Sequence, residues 1–386
     1  MKPRVVYWNN IPAPYVVERF GALPEEKPFS FEAWFSGRTS RGRSWEVEED
    51  CWDFSHRYLP SVGQGEYPLA FPAPLLKERV PDLLVTLYAA PSFLFGSLVQ
   101  RARGGRLAYW VEPTEDAVVR RREWKEALKR RLFRAADGIL TTGDDGIAFT
   151  RRYGAPSERT FVVPHVVDAA RYGTARSRDP RERTRYRDGL GLRGVTFAYV
   201  GRLLPLKGVR NLVDAFGEVQ RSTAMETSLL LVGDGPEERA LRDRVRLCGV
   251  QNVVFTGFRG QSELPQLLGA ADVFVFPTLG DTFGMAVSEA VAAGLPVIAT
   301  TATGEIRQRV EDGVNGFQIR PGDPASLRDR MRMLLEDEPL RARMATSSFR
   351  RLADQSPSTW ARAFETAVAQ ILELPPRATP RGRRLP

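Results

Sequence analysis

Two α/β domains, each built on a parallel sheet with helices on both faces, are what this sequence predicts. Three observations carry the prediction. Apolar runs of strand length alternate with helix-length segments along most of the chain, the pattern of βαβ units. The alternation comes in two series, separated by residues 171–193, which are charged and poor in apolar side chains and read as a linker. And 386 residues suffice for two domains that each bury a core.

The first series fills residues 1–170. Residues 4–8 (RVVYW) form a short apolar strand, followed by the loop Asn9-Asn10-Ile11-Pro12-Ala13-Pro14 and an amphipathic segment at 15–23. Residues 31–35 are a second strand. Residues 37–44 (GRTSRGRS) are a basic flexible loop, and 45–74 holds many aromatics and prolines without a clear period. A strand at 83–87, a helix at 91–103, a strand at 106–111 and a long helix at 114–136 come next. Strands at 138–142 and 161–164 enclose a helix at 145–153.

The second series fills residues 194–356. Strands at 196–200, 228–232 and 253–256 alternate with helices at 208–221, 237–248 and 261–269. An apolar strand at 273–277, a helix at 285–293, a strand ending at Thr300, a strand at 316–319 and a helix at 324–335 complete it. Residues 357–374 have a helical period, and the basic, Pro-rich tail 375–386 is expected to be disordered.

Composition narrows the class. With 42% hydrophobic and 27% charged residues the chain is an ordinary globular one. Cys51 and Cys248 offer neither metal-ligand spacing nor a disulfide framework, which points to a reducing compartment. The start lacks the apolar core of a signal peptide, and no apolar run nears the roughly 20 residues of a membrane span, so a cytoplasmic protein is expected. The net charge of +9 favours anionic partners. No zinc-finger spacing or RNA-binding aromatic motif accompanies it, so nucleic acid is not an expected partner. From Arg120 to Arg134, arginines and lysines surround Trp124, Leu128, Leu132 and Phe133. This is either a solvated basic face or a patch for peripheral contact with an anionic membrane, at roughly 1 kcal/mol per cation. Oligomeric state is not legible.

The most informative stretch is 280–300, GDTFGMAVSEAVAAGLPVIAT. Its helix is almost wholly small or apolar, with Gly294 placed to end it, and such a helix is not a wet surface helix. Glu289 is its only charge. A carboxylate without a polar face is expensive to bury unpaired, so Glu289 is expected to face a cleft and bond something there. Asp281 stands eight residues earlier, and Phe283-Gly284-Met285 open the helix. The first amides of a helix lack internal partners and its dipole favours anions, while Gly284 admits a ligand close to the backbone. A phosphate near 283–286 with carboxylates on either side describes a sugar-nucleotide site.

Gly201 to Gly208 (GRLLPLKG) joins a strand to a helix at the carboxyl end of the sheet, where open α/β sheets bind ligands. Arg202 and Lys207 flank this turn, as a diphosphate-binding pair or as two surface cations. The turn Gly233-Asp234-Gly235 serves a ligand or a closely packed loop. His165 reads as structural, and His56 has no assigned role. Glu112 follows the strand at 106–111, as an acceptor-side group at the sheet's carboxyl edge or as a surface glutamate.

Five blocks, YVGRLLPLKG, LLLVGDGPE, VVFTGF, ADVFVFPTLGDTFGMAVSEAVAAGLPVIAT and VEDGVNGF, in this order and spacing, resemble the nucleotide-binding half of the retaining glycosyltransferases of family 4 (glycosyl transferases group 1). The match spans about 195–335. The first half is similar only in its alternation and in 162–168. The resemblance implies the GT-B fold, two Rossmann-like domains facing a cleft, with a C-terminal helix at 357–374 crossing back to the first domain. It also implies transfer of a sugar from a nucleotide diphosphate sugar to a hydroxyl acceptor with retention of configuration. Arg202 and Lys207 match the diphosphate pair, and Glu289 matches the glutamate that binds the ribose. Asp281 stands where the family has a glutamate that contacts the donor sugar. Phe283, Gly284 and Met285 match backbone donors, and Gly257-Phe258-Arg259 matches the segment beside the base.

Three departures accompany the match. Asp281 is one methylene shorter than glutamate, roughly 1.5 Å. Asn10, Pro12 and Tyr15 lie where the family often has a glycine pair, and Glu112 where it often has a histidine. These four residues are the expected acceptor side. The implied chemistry needs no metal and no protein nucleophile, since two cations and a helix end can stabilise the leaving diphosphate. A sugar-nucleotide 2-epimerase and a non-catalytic sugar-nucleotide binder are the competing readings.

Overall fold

The computed structural model describes residues 2–39, 49–63, 68–88, 90–112, 123–176 and 179–373. They form two compact units, one of residues 2–112 and 123–165 together with 357–373, the other of residues 166–356. Most of the basic loop 37–44, the start of the helix expected at 114–136 and the tail 375–386 lie outside the described residues.

The first unit opens with β1 (Arg4–Asn9), α1 (Pro14–Gly21) and β2 (Ser30–Phe35). Residues 49–77, where the sequence shows no period, hold β3 (Ser55–Tyr58), β4 (Ser61–Val62), β5 (Leu69–Ala70) and α2 (Ala73–Lys77). Elements of two to five residues complete too few repeats for a period to be read. Then come β6 (Leu83–Thr86), α3 (Pro91–Ala102), β7 (Arg106–Val111), α4 (Glu123–Ala135), β8 (Gly138–Thr141), α5 (Asp144–Arg152) and β9 (Thr160–Val162). Seven strands pair in parallel in the order β3-β2-β1-β6-β7-β8-β9, while β4 and β5 pair antiparallel by themselves. The central strands are buried on both faces, which is why they read as unbroken apolar runs. Trp8, Trp34, Phe93, Tyr109 and Phe133 fill one side of this sheet.

The second unit begins with α6 (Ala169–Arg176) and α7 (Pro180–Leu190), in the stretch expected to be a linker. The charged sequence misleads because α7 is held by long-range ion pairs. Arg183 and Arg187 both reach Asp272, at 2.8 and 3.2 Å. Asp179 caps the helix by accepting from the Arg181 amide, and Gly191 ends it in the left-handed region. There follow β10 (Val195–Val200), α8 (Val209–Ser222), β11 (Thr227–Val232), α9 (Glu238–Leu247), β12 (Val253–Gly257) and α10 (Leu264–Ala270). The unit closes with β13 (Val273–Phe276), α11 (Met285–Ala292), β14 (Val297–Thr300), α12 (Ile306–Arg309), β15 (Gly316–Ile319), α13 (Pro324–Glu336) and α14 (Glu338–Arg351). Its six strands are parallel, in the order β12-β11-β10-β13-β14-β15.

α15 (Pro357–Glu373) belongs with the first unit. Trp360 stacks on Phe364 at 4.8 Å, and Phe364 meets Tyr7, Phe29 and Phe31. Trp360 and Phe364 are both fully buried, each contributing on the order of 1.5–3 kcal/mol. No helix among the described residues is long and apolar enough to cross a membrane.

Candidate active site

In the second unit the chain runs from β10 out through β11 to β12, then returns to the other side of β10 as β13. The carboxyl ends of β10 and β13 therefore diverge, and a crevice at such a reversal is where open α/β sheets bind ligands. The loops after β10, β13 and β14 are stitched together here. The amide of Leu279 and the hydroxyl of Thr278 donate to the Leu206 carbonyl at 2.8 and 3.1 Å. Thr300 donates to the Thr278 carbonyl at 2.6 Å, and the Asp281 amide donates to Ala302 at 2.9 Å.

Lys207 and Asp281, 74 positions apart, form a half-buried ion pair between Nζ and Oδ2. The other carboxylate oxygen of Asp281 accepts from the Phe283 amide at 3.1 Å. Each oxygen of Asp281 thus has one protein partner and keeps a lone pair for a further donor, and the Phe283 amide bonds Asp281. The Gly284 amide carries no such bond among the described residues. Gly284 has φ +72, and a Cβ there would meet Phe276 and Thr303 at 2.9 Å each, so packing as well as ligand access demands glycine.

Arg202 is half-buried, and its Nε has no hydrogen-bond partner among the described residues. The Tyr199 hydroxyl donates to the Arg202 carbonyl at 3.0 Å. Burial first, and the charge of Asp281 second, push that phenol well above its ordinary value, so it stays a donor. Gly201 precedes Arg202, and its carbonyl lies where a Cβ on Gly233 would fall. The Gly233-Asp234-Gly235 turn thus serves close packing of two loops. On α11, Met285 and Glu289 share a half-buried face one turn apart, while Val287, Ser288, Ala290 and Val291 are buried. Phe258 and Arg259 follow β12, two strands from the reversal, where Arg259 pairs with Glu263 at 2.9 Å.

Arg309 was missed in the sequence, where RQR on a short segment reads as surface charge. Only 3% exposed, it donates to the carbonyls of Phe283, Gly284 (2.8 Å) and Gly304, and to Ser288 Oγ at 3.2 Å. Its guanidinium also lies 4.0 Å from the Phe283 ring centroid. One planar fork thereby fixes the loop that opens α11 from its carbonyl side, leaving the amides to point the other way.

The first unit gathers its charges at the carboxyl edge of β7. Glu112 Oε1 accepts from Trp110 Nε1 at 2.7 Å and pairs with His165 Nε2 at 2.8 Å. Burial works to raise the Glu112 carboxyl. The His165 charge and hydrogen bond, the Trp110 N–H and the Arg19 charge outweigh it and hold the group down at about 2. Glu112 is therefore a fixed anion that accepts hydrogen bonds and is a poor proton acceptor near neutrality. Both donors meet Oε1, which leaves Oε2 for another donor among the described residues. Tyr15 packs its ring edge-on to His165 at 6.3 Å, with the Arg19 guanidinium 4.9 Å from that ring. Asn10 ties the loop after β1 to the end of β2, its carbonyl accepting from Ser36 and Gly37. Pro12 is buried in the same loop. His165, read as structural, is the partner that sets the charge of Glu112.

Residues 194–337 match the family model described as glycosyl transferases group 1. The chain is 33% identical over 325 residues to the D-inositol 3-phosphate glycosyltransferase of Salinispora arenicola, covering 81% of this chain and 69% of that protein. It is 30% identical over 292 residues to the glycogen synthase of Mycobacterium tuberculosis, of whose length it spans 64%. Among solved structures, Anabaena HepE in complex with UDP and glucose superposes with a TM-score of 0.76, at 19% identity and covering 95% of this chain and 99% of HepE. Sucrose-phosphate synthase from Thermosynechococcus elongatus gives the same TM-score and identity, covering 96% and 99%. These two likenesses are of fold, and the fold is GT-B. The motifs of the second unit and the extent of the match in sequence lead to one conclusion: the chain belongs to the glycosyl transferases group 1 family.

Proposed function

We propose that this protein is a retaining, metal-independent glycosyltransferase that moves a sugar from a nucleotide diphosphate sugar to a hydroxyl acceptor. The observation that carries the reading is the convergence of Lys207, Asp281, Arg202 and the opening of α11 at the strand reversal of the second unit. Arg202, Lys207 and the helix end stabilise the charge that develops on the departing diphosphate. Asp281 holds Lys207 in place. Glu289 accepts from the ribose hydroxyls, and Gly201, Gly284 and Met285 present backbone to the phosphates and sugar, with Phe258 and Arg259 on the side of the base.

The acceptor hydroxyl attacks the anomeric carbon on the face of the leaving group. The new carbon–oxygen bond forms as the bond to the phosphate oxygen breaks, and the hydroxyl proton passes to that phosphate. No side chain is then required as nucleophile. Glu112, held ionised, accepts a hydrogen bond from the acceptor without taking its proton. The solved complex of HepE with UDP-glucose makes uridine diphosphate sugars the first donors to try.

The test is thermal unfolding against a panel of sugar nucleotides. A donor present at a hundredfold excess over its Kd stabilises the fold by about 2.7 kcal/mol. Glu289→Ala weakens binding of the protecting nucleotide by roughly 1.5–3 kcal/mol in calorimetric titration. Equal affinity in the two proteins overturns the ribose contact. Conversion of the donor to a new sugar nucleotide without acceptor identifies an epimerase, and binding without any turnover identifies a non-catalytic relative.

A further inference from the structure

Exposed apolar side chains cluster on one side of the first unit. β4 and β5 pair Val62 directly with Leu69, and these are 78% and 60% exposed. Two residues beyond Leu69, Phe71 stacks on Phe95 of α3 at 6.0 Å, and Leu98 follows one helical turn later, itself 69% exposed. α2, which packs against α3, adds Leu76. Monomeric soluble proteins rarely leave so continuous an apolar surface without a partner.

The exposed charges on the neighbouring helices are mainly basic. The steps β6 to β7 and β7 to β8 run in the same direction, so right-handed crossovers place α3 and α4 on one face of the sheet. Arg101 of α3 confirms the adjacency by donating to the Ala135 carbonyl at the end of α4 and pairing with Asp137 at 2.9 Å. α4 exposes Trp124, Lys125, Arg130, Arg131 and Arg134 beside a single exposed acid, Glu123, and α2 exposes Lys77. None of these five cations has a carboxylate partner among the described residues. Glu126, the inward acid of α4, is taken by Lys129 and Tyr153. Arg120 to Arg122, the start of the basic stretch noted in the sequence, lie outside the described residues.

We propose that this face docks on an anionic lipid bilayer. Val62, Leu69, Phe71, Phe95 and Leu98 enter the boundary between headgroups and acyl chains, and the cations of α4 meet lipid phosphates. A second copy of the chain is the poorer occupant, because a symmetric pairing through this face would set the same unpaired cations against each other.

The experiment is co-sedimentation of the full chain with vesicles of phosphatidylcholine alone and with about one third phosphatidylglycerol. Binding to the anionic vesicles only, weakened by added salt, is expected. The double variants Phe71→Ser/Leu98→Ser and Arg130→Glu/Arg131→Glu each lower the partition coefficient by about tenfold or more. All four positions are solvent-exposed, so melting temperature and thermal protection by UDP stay at wild-type values and separate this result from the donor-site reading. Absence of sedimentation with anionic vesicles, or wild-type binding by the serine variant, overturns the proposal. So does a concentration-dependent dimer in ultracentrifugation that the serine variant abolishes, which would give the surface to a second copy.

Discussion

Both sheets reverse direction once, between β1 and β6 in the first unit and between β10 and β13 in the second, and the two units load their carboxyl edges differently. In the second unit the edge is mostly main chain. Three loops bond to one another through carbonyls, amides and two threonine hydroxyls, and among the described residues one ion pair, Lys207 with Asp281, crosses them. In the first unit the charged group sits one strand beyond the reversal, and it is made of side chains from separate places: Glu112 and Trp110 on β7, His165 after β9, and Arg19 and Tyr15 on α1. A site made of backbone must keep glycines and short spacings, whereas a site made of side chains needs only that distant residues converge. The shared family motifs accordingly lie in the second unit, and two of the three departures lie in the first.

The largest expected effect tests the backbone-built edge. Lys207→Ala lowers turnover by about 10²–10³, by analogy with loss of one oxyanion donor. Asp281→Asn, which keeps the acceptor for the Phe283 amide but removes the charge that holds Lys207, costs less. Steady-state kinetics with a donor that protects the fold decides it, and unchanged turnover in Lys207→Ala would remove the lysine from the chemistry.

A smaller effect is expected at the brace behind that edge. Arg309→Met leaves the Phe283, Gly284 and Gly304 carbonyls without their donor and destabilises by roughly 1–3 kcal/mol in urea unfolding. The same substitution at exposed Arg307 stays within about 0.5 kcal/mol. Equal stability of the two variants would show that the loop holds itself.

The smallest effect belongs to the side-chain-built edge. Glu112 titrates at about 2 in the fold, below its value of about 4.3 in an unfolded chain. Its charged form thus contributes stability that is fully present above the unfolded value and is lost as pH falls toward 2. Glu112→Gln is therefore less stable at neutral pH, on the order of 1 kcal/mol. The gap from wild type closes between about pH 4.5 and 2. A gap independent of pH would show that Glu112 is not held as an anion.

Sequence reading was sharpest where local pattern and physics coincide. Apolar runs placed every central strand, because parallel strands buried on both faces have no polar alternation to hide them. The linker expected at 171–193 failed because α7 takes its support from Asp272, some 85 positions away. The short elements β3, β4, β5 and α2 had no period to show. The role of Arg309 and the pairing of His165 with Glu112 were unreadable for one reason: the sequence lists a residue's neighbours along the chain, and both act through neighbours in space.

By itself, then, the sequence determined two parallel α/β units and the order of their main elements, since these rest on burial and spacing. Only the tertiary structure decided the state of the charges. It paired Asp281 with Lys207, drew Arg309 behind the loop, and fixed Glu112 as an anion against His165. Charge is set by distance and burial in three dimensions, and neither quantity is written along the chain.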